Sequence, residues 1–106
     1  MKTISRIVQE LLPAYLTARK HELPIMTDLL DASDFEQLRI LGHNLKGSGR
    51  SFGLAELSRI GAALEHSAEQ ADPVSFTHEL TRLRDYLDHA GSSQQPDEQQ
   101  PDEGVA

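Results

Sequence analysis

A chain of 106 residues has room for one domain with one modest core, not for a catalytic domain plus a regulatory one. It contains no cysteine, which rules out disulfides and thiolate metal sites. Its formal net charge of −7 argues against nucleic-acid binding, which needs a basic face. Four of the acidic residues, Asp97, Glu98, Asp102 and Glu103, sit near the C-terminus, so the rest is only mildly acidic and can still present a local basic strip.

At the N-terminus, Ser5, Arg6, Gln9 and Glu10 break any apolar run, so no signal peptide is expected. Nowhere does an apolar run approach membrane-spanning length, and the cytoplasm is the default compartment. Leu12, Leu16, Leu23, Met26 and Leu30 predict a helix over residues 12–31. Pro13 is expected to separate it from a short leading helix over 3–11, and Pro24 to kink it, because proline removes an amide donor.

Ser33-Asp34-Phe35-Glu36 has a capping-box pattern, in which the Ser33 side chain would accept from the Glu36 amide and Glu36 would reach back. Behind it, Phe35, Leu38, Leu41, Leu45, Ser48 and Phe52 form one helical stripe. Leu54, Leu57, Ile60, Leu64, Ala68 and Ala71 form the next. Asp72 as cap and Pro73 at the first helical position open a last helix, whose stripe is Phe76, Leu80, Leu83, Leu87 and Ala90.

No segment shows the two-residue alternation of a strand. The connections, at Ala32–Ser33, around Gly53 and around Asp72, are short enough to make consecutive helices antiparallel neighbours. The expected fold is therefore all-α: an antiparallel up-down four-helix bundle over residues 1–90, capped by a short extra N-terminal helix. One bundle can bury its own stripes, so a monomer is expected. Residues 91–106 are almost devoid of apolar side chains and repeat Gln-Gln-Pro-Asp-Glu in tandem. Such a segment cannot offset its ordering entropy, and a disordered solubilising tail is expected.

The stretch His43-Asn44-Leu45-Lys46-Gly47-Ser48-Gly49-Arg50 is unusual for a helix interior, where each glycine costs about 1 kcal/mol relative to alanine. Gly42 and Gly49 lie near the apolar stripe and are explained by close helix packing. Gly47 is not. It falls one turn after His43 on the same face, flanked by Arg39, Lys46 and Arg50. That arrangement describes an imidazole standing out of a bundle with cations beside it and clearance over the next turn. A neutral imidazole is a competent nucleophile, and a neighbouring ammonium can stabilise an anion built on it. None of His21, His66, His78 and His89 has the Lys-then-Gly pair, and each reads as a solvated surface side chain.

The run Gly-His-Asn-Leu-Lys-Gly-Ser-Gly over residues 42–49 resembles the histidine-phosphotransfer (HPt) domain family of two-component phosphorelays. So do Gly53, Phe-Gly-Leu-x-Glu-Leu-Ser over 52–58, and Ile60-Gly61-x-x-Leu64-Glu65. The likeness covers about residues 10–90. It implies that His43 accepts a phosphoryl group from a receiver-domain aspartate and passes it to another receiver, with Lys46 as electrostatic helper and Gly47 as clearance. By the same resemblance the partners are response-regulator receivers and a hybrid histidine kinase. The receiver supplies Mg2+, and the module has no cofactor of its own. Arg50 stands where the family often has a small or neutral residue, and with Arg39 and Gly47 it is assigned to partner docking.

Other motifs fail on their own terms. Gly47 and Gly49 begin a dinucleotide-type glycine loop, but Phe52 occupies its third position and no strand precedes it. Glu-x-x-His pairs, as in metal-binding bundles, are absent. The alternative from another class is a phosphorylation-independent adaptor that docks signalling proteins through the same face.

Overall fold

The computed structural model describes residues 2–93, and these form four α-helices: α1 Lys2–Asp31, α2 Phe35–Ser51, α3 Ala55–Glu69 and α4 Pro73–Ser93. No strand occurs among the described residues. Each helix packs against its neighbours in the chain, and α1 closes the ring against α4. The last helix runs through Gly91 to Ser93, and the remainder of the expected tail lies outside the described residues.

The helical stripes meet in one core. Phe76, Leu80, Leu83, Leu87 and Ala90 of α4 are all buried, as are Leu54, Leu57, Ile60, Leu64 and Ala68 at and along α3. Leu38 and Leu45 of α2, and Leu12, Leu16 and Met26 of α1, complete it. Tyr15, absent from the sequence-derived stripe, is also buried and ties α1 to the end of α2. Its ring stacks on Phe52 with centroids 4.1 Å apart, and its hydroxyl lies 2.6 Å from Ser48 Oγ.

The separate leading helix is not seen, because α1 is continuous from Lys2 through both prolines. Both rings are exposed, eleven residues apart and therefore on one side of the helix, while Leu12, Leu16 and Met26 are buried. The carbonyls that lose their amide partners, four residues upstream of each proline, belong to Gln9 and Lys20, both exposed residues at which water can take the place of the lost bond. Burial of the core-facing side chains holds the helix together across the interruption.

The capping box is also corrected. Asp34, not Ser33, is the N-cap of α2, and its Oδ1 accepts from the Gln37 amide at 3.2 Å. Ser33 instead ends α1 in the left-handed region, with φ of 58°. The Asp34 amide reaches back to the Leu29 carbonyl at 2.9 Å, the signature of a Schellman turn. Gly53 (φ 73°) and Ala71 (φ 51°) end α2 and α3 in the same way. Asp72 caps α4 as the sequence predicts, accepting from the Ser75 amide at 3.1 Å.

Candidate functional site

Three glycines determine how closely α2 and α3 approach. A Cβ on Gly61 would lie 2.5 Å from the Lys46 backbone nitrogen, and one on Gly42 would lie 2.6 Å from the Glu65 nitrogen. A Cβ on Gly49 would meet the Ser58 nitrogen at 2.9 Å. These contacts are backbone to backbone, closer than any side chain permits. Ser58 Oγ adds a hydrogen bond to the Lys46 carbonyl at 2.8 Å. Gly47 is of a different kind: a Cβ there would meet nothing within 4 Å.

That proximity places Glu65 of α3 beneath the exposed face of α2. Its two carboxylate oxygens serve two different partners: Oε2 lies 3.0 Å from His43 Nδ1, and Oε1 lies 2.8 Å from Lys46 Nζ. The three side chains differ in exposure. Glu65 is 13% exposed, Lys46 34% and His43 60%, so the acid is the foundation and the imidazole the outermost group. The hydrogen bond from Lys46 holds the Glu65 carboxyl below its ordinary range. The hydrogen bond from His43 and the nearby Lys46 charge add to this effect against the opposing cost of burial.

The Glu65 carboxylate is thus ionised, and an ionised carboxylate can only accept hydrogen bonds. Nδ1 of His43 must therefore carry the proton. In the neutral imidazole this leaves the lone pair on Nε2, which has no hydrogen-bond partner among the described residues. The outcome is a half-exposed ring of fixed tautomer, its free nitrogen turned away from the acid, an ammonium alongside and open space one turn further along α2.

The remaining basic residues on this face behave differently from one another. Arg39 is engaged by Glu36, with Nη2 at 2.7 Å and Nε at 3.2 Å from its two oxygens, and this pair lowers the Glu36 carboxyl and raises the guanidinium. Arg50 is exposed and forms no ion pair among the described residues. The other histidines stand apart from this arrangement: His21, His66 and His78 are exposed, and His89 Nδ1 lies 2.7 Å from the Asp85 carbonyl of its own helix.

Sequence reasoning missed the role of Glu65. Its only signal was its place in Ile60-Gly61-x-x-Leu64-Glu65, four residues after a glycine and next to the buried Leu64. Nothing in the sequence indicates that a residue 22 positions from His43 touches it.

An all-helical bundle that presents one histidine of fixed tautomer beside a lysine defines a class of small proteins built to carry a group on an imidazole. The sequence model described as Hpt domain matches residues 8–93, most of the chain, and the chain belongs to that family. Hpt domains serve histidine phosphotransfer in phosphorelays and interact there with receiver domains and histidine kinases. No curated protein and no solved structure matches the chain. No helix among the described residues is long and apolar enough to cross a membrane.

Proposed function

We propose that this chain is a phosphorelay carrier that accepts a phosphoryl group on Nε2 of His43 from a receiver-domain aspartyl phosphate and donates it to a second receiver. The observation that carries this reading is the double engagement of Glu65. By accepting from Nδ1 it leaves Nε2 as the nucleophile, and by pairing with Lys46 it keeps an ammonium within reach of the group to be transferred.

In the forward step the Nε2 lone pair attacks phosphorus in line, an N–P bond forms, and the P–O bond to the aspartyl carboxylate breaks. The carboxylate leaves with its electron pair. As the ring gains positive character, Glu65 offsets it through the Nδ1–H bond, while Lys46 faces the phosphoryl oxygens. The protein contributes position and charge, which is most of what phosphoryl transfer requires. Donation is the same step reversed onto another aspartate. Mg2+ belongs to the receiver, and the carrier needs no cofactor of its own. Open space over Gly47 is where the receiver approaches, with Arg39 and Arg50 at the edges of that surface. We further infer a cytoplasmic monomer.

The test is transfer from receiver domains charged with labelled phosphate, with His43→Gln alongside. The expected result is acid-labile, alkali-stable label on the wild type only. Tight binding to a receiver without label on the wild type would sink the carrier reading and leave a phosphorylation-independent adaptor.

A further inference from the structure

Four cations lie along one side of α2 and the adjoining part of α3, and they are not equivalent. Arg39, one turn before His43, is held by both oxygens of Glu36, and Lys46 is held by Glu65. Arg50 follows His43 by seven residues, about two turns and about 10 Å along the axis on the same face, and has no carboxylate partner among the described residues. Arg59 of α3 is exposed and pairs with Glu56, which also meets Arg82, itself held by Glu79. Arg50 and Arg59 line a common shallow groove floored by Ala55 and Ser58. The groove adjoins the open space over Gly47, since Arg50 lies three residues, one turn, beyond Gly47 on α2. In a chain of net charge −7, the Arg50 guanidinium is thus the cation of this strip without a carboxylate among the described residues, while Arg39 at the other end is paired with Glu36.

We propose that the Arg50–Arg59 groove receives a carboxylate side chain on the rim of the receiver's phosphorylation site, and that it selects among receivers and fixes which way round they dock. This deepens, and rests on, the carrier function assigned to His43. The partner's chemistry follows from the reaction: a receiver that bears a phosphoaspartate and holds Mg2+ must surround the site with carboxylates. Those on the side lying over Gly47 meet the Arg50 guanidinium, which has no carboxylate among the described residues, and those on the opposite side meet an Arg39 already paired with Glu36. Guanidinium suits the contact because its planar fork binds carboxylate in two parallel hydrogen bonds. A contact of this type at the rim of an interface acts on encounter rate and discrimination more than on chemistry.

The experiment measures the initial rate of phosphoryl transfer from a panel of labelled receivers to the full chain across a range of ionic strength. It compares wild type, Arg50→Glu, Arg50→Lys and Arg59→Glu, each checked for folding by circular dichroism. For receivers with an acidic rim, wild-type transfer is expected to fall as salt rises. Arg50→Glu is expected to be about tenfold slower at low salt, with the loss in KM, and nearly insensitive to salt. Arg50→Lys should recover most of the rate, and reversing one rim carboxylate of the receiver to lysine should recover Arg50→Glu. Equal rates and equal salt dependence in wild type, Arg50→Glu and Arg59→Glu would overturn the groove while leaving the carrier function intact. Failure of every receiver to label the wild type would overturn the carrier function itself.

Discussion

Replacing Gly47 should make the protein more stable and less able to transfer phosphate. A Cβ at this position meets nothing within 4 Å, and the residue lies inside a regular helix with ordinary negative φ. Gly47→Ala therefore gains the difference in helix propensity, about 1 kcal/mol, with no packing cost to set against it. In a domain of this size that corresponds to a rise in melting temperature of about 5 °C. Gly47→Gln gains roughly half as much, because its longer side chain also has helix propensity to offer. The Gln side chain, however, fills the space through which a receiver must bring phosphorus to the contact distance of about 3–3.5 Å, and a displacement of 1 Å at such a centre costs roughly a hundredfold in rate. Thermal unfolding by circular dichroism reads the first effect, and labelled transfer from a receiver reads the second. Wild-type transfer by Gly47→Gln would refute the clearance role, and a lowered melting temperature in Gly47→Ala would show that the space is not open.

Gly61, on the facing helix, should respond in the opposite sense. Gly61→Ala places a methyl 2.5 Å from the Lys46 nitrogen and 2.8 Å from its Cα, so the helices must part; the expected net loss of stability is about 1–2 kcal/mol by urea titration, with slower transfer as Glu65 retreats. Lys46→Ala should slow transfer and change the lifetime of isolated phosphohistidine, and unchanged kinetics would reduce Lys46 to a structural partner of Glu65. Ala71 sits at φ of 51°, where an L side chain costs about 1–2 kcal/mol; Ala71→Gly should stabilise by a net amount of about 0.5 kcal/mol or more after the added chain entropy, and a lower melting temperature would contradict this. Because the Glu65 carboxyl is held below its ordinary value of 4.5, its pairing contributes stability that is complete above that value and lost as pH falls through the depressed one. The stability difference between wild type and Glu65→Gln should accordingly be flat at neutral pH and shrink on acidification. A difference that did not change with pH would remove the electrostatic basis of the pair.

The parts of this fold that were legible in the sequence are those governed by local periodicity. The five-residue stripe of α4 and that of α3 through Ala68 are buried as their spacing requires, and Asp72-Pro73 starts a helix through a cap formed within three residues. Errors arose where two local rules competed. Pro13 obeys the rule that proline costs a hydrogen bond, but the cost falls at the exposed Gln9 while Leu12, Tyr15 and Leu16 are buried. Ser33 satisfies a capping pattern, yet it was needed to end the preceding helix, and Asp34 took the cap. His43, Lys46 and Gly47 stood out because they share one helix face within four residues. Glu65 did not, because its contact with them depends on the distance between two helices, and that distance is set by Gly42, Gly49 and Gly61 acting together.

Those three contacts have a mechanical consequence. With backbone against backbone at three levels, α2 and α3 meet with no intervening side chain that could change rotamer and let them shift. On the carrier reading, His43, Glu65 and Lys46 all stand on this closely packed pair, and the empty and the loaded carrier are expected to share one geometry. A component with no moving part cannot act as a ratchet. On the carrier reading, the direction in which phosphate flows is then decided by the relative charging of the receivers on either side, and the chain between them works as a reversible coupling.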